Sequence, residues 1–338
     1  MNPSVAIVIL NYNTRGQLQE FLPGVLATDY DNFQVVVADN GSRDGSTDFI
    51  KAHYPEVQLI RFEQNHGYAG GYNEALKQVR ADFYVLLNSD VEVPADWLRP
   101  LVQCAERHAD LAAVQPFILD QKQKDRYEYA GAAGGWIDRF GYPFCRGRLF
   151  DNLESAAIAF DEAPVFWASG AALFIRASDF HAIGGFDARF FAHMEEIDLC
   201  WRLQLAGKTV YSCPESRVYH VGGGTLKKQS PFKTFLNFRN GLLLLEKNLP
   251  AATRRRTILL RMCLDGIAAI KFLLAGQLAD FAAVFRAHVY FHRNRRKFRP
   301  EQLVSRSPDS LHGYYNRSIV WQYFARKVKR FSDLPGVS

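Results

Sequence analysis

Ala81-Asp82-Phe83-Tyr84-Val85-Leu86-Leu87-Asn88-Ser89-Asp90-Val91 is the stretch that decides the fold. Tyr84 to Leu87 form a short apolar run bounded by polar stretches, the pattern of a strand buried on both faces of a parallel sheet. The run stops at Asn88-Ser89-Asp90. In an open α/β sheet, ligands bind beyond the carboxyl ends of the strands, so a carboxylate at that edge stands where a ligand is met. A hard divalent cation takes oxygen ligands and would neutralise a bound diphosphate. Asn, Ser and Asp are also ordinary turn formers, so the tripeptide gains meaning only from the rest of the chain.

Toward the amino terminus the same pattern repeats. Val5 to Leu10 reads as a strand ending at Asn11-Tyr12-Asn13, with Thr14 as the N-cap of a helix carrying Leu18, Phe21, Leu22 and Val25. Pro23-Gly24 should kink or end that helix. Val35 to Ala38 is a second strand, followed by the polar turn Asp39-Asn40-Gly41-Ser42-Arg43-Asp44-Gly45-Ser46 and a helix over Thr47 to Ala52. Val57 to Phe62 gives a third strand, then comes the turn Asn65-His66-Gly67-Tyr68-Ala69-Gly70-Gly71 and a helix through Val79. Strand, turn and helix in alternation predict an α/β fold. Its sheet is Rossmann-like and mostly parallel, with helices on both faces.

Beyond Pro94 the order loosens. A helix is expected near Trp97 to His108, a strand at Ala112 to Phe117, and a loop-rich stretch over 121–163 of the kind that faces a substrate. Strand character returns at Trp167 to Ile175. It is followed by the turn Gly184-Gly185-Phe186-Asp187, a helix from Glu195 to Ala206 and the segment Thr209 to Val221. Past Lys227 everything reads helical.

Residues 1–225 carry 19 Lys and Arg against 29 Asp and Glu, and residues 226–338 carry 22 against 6. An acidic body with a basic tail points to an anionic partner for the tail, membrane lipid or nucleic acid. Cys104, Cys145, Cys200, Cys213 and Cys263 are scattered without a C-x-x-C pair, so neither a disulfide framework nor a zinc site is indicated. A reducing compartment fits, and Met-Asn-Pro-Ser runs into a strand without a basic signal region, which reads as cytosolic.

Three strand ends, at Asn11-Tyr12-Asn13, Asp39 and Asn88-Ser89-Asp90, line one edge of the sheet with polar groups. A nucleotide needs this combination: a carboxylate for base or ribose and a metal site for the phosphates. The turn Gly67 to Gly71 opens a helix whose positive end favours anions, although it is not G-x-G-x-x-G. Glu195, Glu196 and Asp198 open another helix. Such carboxylates complement a helix dipole, but like charges this close also raise at least one pKa, which suits a general base. Glu195 and Asp198, at i and i+3, share a face. His220 precedes Gly222-Gly223-Gly224, glycines that allow close approach to something bound or a mobile loop.

Together, over about residues 4–225, these motifs resemble the inverting family 2 glycosyltransferases of GT-A fold, particularly the rhamnosyltransferase-like branch. The resemblance implies a catalytic domain over 1–226, with a nucleotide-binding half (1–93) and an acceptor and catalytic half (94–226), followed by a basic amphipathic helical region over 227–338. It implies a nucleotide-sugar donor, dTDP-rhamnose or a UDP-hexose, touched by Asn11, Asn13, Asp39, Asn65, Gly67, Gly70, Asn88, Ser89 and Asp90. Asp90 and His220 would hold Mg2+ or Mn2+. Glu196 falls at the catalytic base, with Glu195 as a substitute and Asp198 beside them. Trp167, Gly185, Trp201 and Arg202 are the acceptor candidates. Asn88 replaces the first Asp of the usual D-x-D, and as a neutral amide it is suited to hydrogen-bond the nucleotide and leave the metal to Asp90 and His220. Two other classes remain: a nucleotidyltransferase, which would need a basic glycine loop that Gly67 to Gly71 lacks, and a non-catalytic nucleotide-sugar-binding module, which would not need Glu196, Asp198 and His220 together.

Between Arg254 and Phe291 the charges at Arg261, Asp265, Lys271, Asp280 and Arg286 interrupt every apolar run before the ~20 residues of a spanning helix. Arg254-Arg255-Arg256 and the cluster Arg293, Arg295, Arg296, Lys297 and Arg299 flank helices with apolar faces. That composition fits elements lying on the anionic inner face of the cytoplasmic membrane, near a lipid-linked oligosaccharide or glycan acceptor. It fits equally helices packed on the catalytic domain or on a second copy of the chain. No nucleic-acid module is recognised, and nucleic acid is not expected as a partner.

Overall fold

The computed structural model describes residues 2–222, 230–299 and 306–337. The expected boundary at 226/227 and Gly223, Gly224 and Thr225 lie outside the described residues. In chain order the elements of the body are β1 (Val5–Asn11), α1 (Arg15–Leu26), β2 (Phe33–Asp39), α2 (Ser46–His53), β3 (Gln58–Arg61), α3 (Gly67–Leu76), β4 (Phe83–Leu87), β5 (Val91–Glu92), α4 (Leu98–Arg107) and β6 (Leu111–Asp120). There follow β7 (Gly135–Asp138), β8 (Pro143–Cys145), β9 (Arg148–Leu149), β10 (Asn152–Leu153), β11 (Ala163–Pro164), β12 (Ala172–Arg176), α5 (Ala177–Ala182), α6 (Glu195–Leu205) and β13 (Thr209–His220). The carboxyl-terminal region adds α7 (Pro231–Asn248), α8 (Ala251–Leu274), α9 (Leu278–Asn294) and β14 (Tyr314–Tyr315).

The large sheet has the order β11-β13-β6-β12-β4-β1-β2-β3, with β5 added on β13. β3, β2, β1 and β4 are parallel neighbours, as the alternation predicts, and β12 inserts antiparallel between β4 and β6. Every residue of β4 is buried. Val5, Ile7 and Ile9 of β1 join the apolar layer on one face of the sheet and Ala6 and Val8 the layer on the other, the period-2 alternation of a strand covered on both sides. α1 runs on through Pro23 to Leu26 instead of ending there. Burial of Leu18, Phe21, Leu22 and Val25, at roughly 1.5–3 kcal/mol each, outweighs the ~3 kcal/mol that an interior proline costs. Thr14 occupies the N-cap position, but its hydroxyl donates to Asn11 Oδ1 at 2.5 Å and accepts from no N–H of the helix.

One expectation holds with an addition and one fails. The 121–163 stretch is mostly turn and loop, but four short strands within it form a second sheet, β10-β9-β8-β7-β14, whose last strand comes from Tyr314–Tyr315. Past Lys227 not everything is helical. Residues 306–337 fold as a strap, in which Tyr315, Ile319, Tyr323, Phe331 and Leu334 cover Phe144 and Leu149 in an apolar cluster of its own. Short strands and single turns carry too little periodicity to be read locally; they exist because the two distant segments cover each other.

Candidate active site

β5 pairs antiparallel with the end of β13, Val91 opposite His220. This pairing brings the carboxyl end of β4 to the end of β13, and His220 Nε2 lies 3.2 Å from Asp90 Oδ1. On the other side of the ring, His220 Nδ1 lies 3.1 Å from Glu128 Oε2. All three residues are buried. Burial pulls the imidazolium down, but the hydrogen bonds to Asp90 and Glu128 outweigh it and push the His220 pKa up to about 10. A carboxylate and an imidazole that converge, with a second carboxylate on the far ring nitrogen, are donor types that a divalent cation takes. The chemistry of Asp90 and His220 is compatible with the metal expected of them. Glu128, in the loop-rich stretch, carried no sequence signal. Asn88 and Ser89 lie half-buried beside Asp90.

At the neighbouring strand ends, Asn11 Nδ2 donates to Asp39 Oδ1 at 2.7 Å and to Ser42 Oγ at 3.0 Å, and the Ser42 N–H donates to Asp39 Oδ2 at 3.1 Å. Asn13 (φ 54°) accepts from the Arg43 N–H through Oδ1 at 2.8 Å. The structure thus brings Asn11, Asn13 and Asp39 together. Asn11 is wholly buried and orients Asp39 and the Ser42 loop.

The glycine turn departs from expectation. The N–H groups that open α3 are already taken: Gly67 donates to Asn65 Oδ1 at 2.8 Å, and Tyr68 and Ala69 donate to the Phe191 carbonyl at 3.0 and 3.5 Å. Gly67 (φ +72°) has no room for a Cβ because Phe191 lies against it, and a Cβ on Gly70 would meet His66. Asn65, Gly67 and Gly70 therefore seat the Phe191 turn on α3 and form no open phosphate cradle.

That turn carries the second centre. Phe191, His193 and Met194 all have positive φ (67°, 69° and 73°), a conformation that costs non-glycine residues of order 1–3 kcal/mol each and persists only where the surroundings enforce it. The enforcement comes from α7. Asn240 Nδ2 donates to the carbonyls of Phe190, Ala192 and His193 at 3.1, 2.9 and 2.7 Å, and Arg239 donates to that of Phe190 at 2.7 Å. Glu195 and Glu196 follow directly, and Oε2 of each is buried without a hydrogen-bond partner. Burial raises both carboxyl pKa values. Glu196 is pushed up to about 7, and Glu195, which also feels the charges of Glu196 and Asp198, is raised well above the usual carboxyl range. A carboxyl that titrates near neutral pH suits a general base. Burial also raises the Cys145 thiol, as do the charges of Glu128 and Glu196. One side chain thus feels the carboxylates of both centres.

Asp198 does not join the two glutamates with unpartnered oxygens. Its fully buried carboxylate is bound by Arg202 Nε at 2.8 Å, Lys247 Nζ at 2.9 Å and Asn248 Nδ2 at 2.9 Å, and it ties α6 to α7. The acceptor candidates are likewise committed elsewhere. Arg202 also donates to the carbonyls of Ile183 and Gly185 at 2.8 and 2.7 Å, and Gly185 (φ +66°) serves the turn. Trp167 is buried over Gly135 with Nε1 donating to the Trp136 carbonyl at 2.9 Å, and Trp201 is wholly buried, edge-on to Phe166. Each occurs in a motif near the site, but the apolar or ionic content of its surroundings drew it into the core.

Comparison with known proteins agrees with this fold. Residues 6–166 match the model of glycosyl transferase family 2. The fold is of the GT-A type, and the chain is similar to family 2 glycosyltransferases, rhamnosyltransferases among them. It is 29% identical over 238 residues to the N-acetylglucosaminyl-diphospho-decaprenol L-rhamnosyltransferase of Mycobacterium tuberculosis, covering 65% of this chain and 76% of that one. It is 25% identical over 223 residues to the rhamnosyltransferase WbbL of Escherichia coli, covering 64% and 83%. The solved mannosyltransferase PcManGT of Pyrobaculum calidifontis, in complex with GDP-Man and Mn2+, superposes with a TM-score of 0.54 at 14% identity, covering 86% of this chain and 87% of that one.

Proposed function

We propose that the protein moves rhamnose or a hexose from a dTDP- or UDP-sugar to a growing, lipid-linked cell-surface glycan, with inversion at the anomeric carbon. The observation that carries this reading is the pairing of two centres. Asp90 and His220, backed by Glu128, converge as donors that a divalent cation could take, and Glu196 has an unpartnered oxygen and a pKa near neutrality. Asp39, oriented by Asn11 and Ser42, contacts base or ribose, and Asn88 hydrogen-bonds the donor. Glu196 takes the proton of the acceptor hydroxyl as that oxygen bonds to the anomeric carbon and the bond to the diphosphate oxygen breaks. Asp90 and His220 would hold Mg2+ or Mn2+, which would supply positive charge to the leaving diphosphate. Similarity to a decaprenol-linked rhamnosyltransferase supports the lipid-linked acceptor.

The carboxyl-terminal region supports action at a membrane surface. No described helix is long and apolar enough to cross a membrane. Yet α8 and α9 expose Leu259, Ile267, Leu274, Leu278 and Phe285, each at more than 60%. Their other face packs on α7, so the helices both dock on the body and present apolar side chains outward. Arg254, Arg255 and Arg256 and the basic run from Arg293 to Arg299 flank that face, the arrangement of elements lying on an anionic bilayer. We place the enzyme at the cytosolic face of such a membrane. Incubation with a panel of UDP-, dTDP- and GDP-sugars tests the reading: metal-dependent consumption of one donor is expected. Turnover of nucleoside triphosphates with no sugar donor consumed would favour a nucleotidyltransferase.

A further inference from the structure

A groove of about 420 Å3 opens between α7 and α9, lined by Phe235, Phe285, Val289 and Tyr290 with Arg286, Arg293 and Asn294. Its size falls in the ordinary range of ligand sites. Arg286 and Arg293 are seven positions apart, two turns along one face of α9, and both are exposed. Neither forms an ion pair with any described carboxylate, whereas Arg299, a few residues on, is paired with Glu246. Two unneutralised guanidiniums over an aromatic floor select an anionic amphiphile: the cations take phosphate oxygens and the rings take the adjoining hydrocarbon. Phe285 is 66% exposed and Phe281 and Phe232 lie open nearby, so the groove is continuous with the apolar face of the carboxyl-terminal helices.

The groove also lies one helix away from the catalytic turn. The Arg239 guanidinium sits over the rings of Phe235 and Tyr290 at 5.4 and 5.1 Å and donates to the Phe190 carbonyl. Phe232, on the first turn of α7, has its ring centroid 6.4 Å from that of Phe191. We propose that this groove seats the diphosphate and first isoprene units of the lipid-linked acceptor, with Arg286 and Arg293 holding the phosphate oxygens. The attached sugar then extends past Phe232 and Phe191 toward Glu196. A bulk phospholipid headgroup has similar chemistry. Its binding would need only the outer basic rim, whereas this groove is joined to the turn that carries Glu196 through Arg239 and the Phe232–Phe191 ring pair.

The proposal rests on the glycosyl-transfer reading, and its test separates the two. Binding of farnesyl diphosphate to the full-length protein is measured by calorimetry against farnesol, inorganic pyrophosphate and phosphatidylglycerol vesicles. The expected result is that farnesyl diphosphate binds more tightly than either farnesol or pyrophosphate. Arg286→Gln with Arg293→Gln should weaken it about 10–100-fold, the scale of lost charge-assisted hydrogen bonds, while Asp90→Asn, which disables the donor metal site, should leave it unchanged. In transfer assays the double variant should raise KM for a lipid-linked acceptor and leave KM for a lipid-free sugar acceptor unaltered. Farnesyl diphosphate binding that is indifferent to the arginines, or lost in Asp90→Asn, overturns the proposal. So does arginine-dependent binding of vesicles without binding of farnesyl diphosphate. Arginine-dependent binding in a protein that consumes no sugar donor would instead remove the glycosyl-transfer reading, and the acceptor assignment with it.

Discussion

The side-chain amide of Asn240 donates to the carbonyl of His193 at 2.7 Å, a bond from α7 into the turn that carries the general-base candidate. With its bonds to Phe190 and Ala192, Asn240 holds three carbonyls of a segment in which Phe191, His193 and Met194 adopt positive φ. Release of that strain would let the turn relax and move Glu196. Asn240→Ala is expected to destabilise the protein by about 2 kcal/mol, the scale of buried acceptors left unsatisfied. It should also lower kcat by more than ten-fold without changing donor affinity, since the donor centre lies on other strands. Unfolding curves and steady-state kinetics check this, and an unchanged kcat would show that the turn holds its shape without α7.

The Asp198 cluster sets an acid limit on stability. Burial raises the Asp198 pKa, but Arg202 and Lys247 outweigh it and hold the carboxyl below its usual range. Asp187, bound by Arg189 and Lys247, is likewise depressed. A carboxyl with a depressed folded-state pKa contributes stability that is complete above its unfolded value, about 3.9, and is lost as pH falls through the folded value. The share of the denaturant midpoint that this cluster supplies, read as the difference between wild type and Lys247→Met, should therefore be level from neutral pH to about 5 and shrink below about 4. Lys247→Met should cost about 3 kcal/mol at pH 7, the lower end for breaking a buried pair because Arg202 remains. A cost near zero would mean that Asp198 has no need of α7.

The four parallel strands were legible because each is a short apolar run ended by polar residues at the edge where ligands bind. Asp90 and His220 could be paired from their motifs, and the contact between them is made by β5, only Val91 and Glu92 long. Glu128, Asn240 and Lys247 were not legible. Each acts through a partner about 50 or more positions away, and nothing in its neighbours marks it. Gly67 to Gly71 was misread for a similar reason: α3 does open with free N–H groups locally, but the Phe191 carbonyl, from a distant turn, fills them. Asp198, Arg202, Trp167 and Trp201 had the residue types of a site, and only their packing shows that they are structural.

Glu128 offers a test of the metal site that leaves the ligands intact. It fixes the His220 ring through Nδ1, so Glu128→Gln should weaken Mn2+ binding about 10–100-fold, the usual cost of losing an outer-shell carboxylate. Asp90→Asn should weaken it further, and chelation of wild-type protein should reproduce the loss of donor binding. Calorimetric titration with Mn2+ decides. Equal Mn2+ affinity in all three proteins would remove the site from Asp90 and His220.

Vesicle sedimentation tests the membrane face. Polybasic attraction is worth roughly 1 kcal/mol per Lys or Arg and weakens with salt, whereas apolar insertion does not. Binding to anionic vesicles should drop in high salt and be lost when Arg254, Arg255, Arg256, Arg293, Arg295 and Arg296 are changed to Gln. Leu274→Ser with Phe285→Ser should lower binding at every salt concentration. Indifference to lipid charge would point to a protein surface as the partner of these helices.

The anomeric configuration of the product, followed by NMR across pH for wild type and Glu196→Gln, tests the central claim most directly. Glu196 titrates near pH 7, so kcat/KM should rise through about that pH to a plateau as the base ionises. The transferred sugar should be inverted throughout. Glu196→Gln should keep donor affinity, slow transfer by about 10²–10⁴ and abolish the limb near pH 7, with Glu195→Gln much milder. A product that retains configuration, or an unchanged pH profile in a fully active Glu196→Gln, would contradict the account.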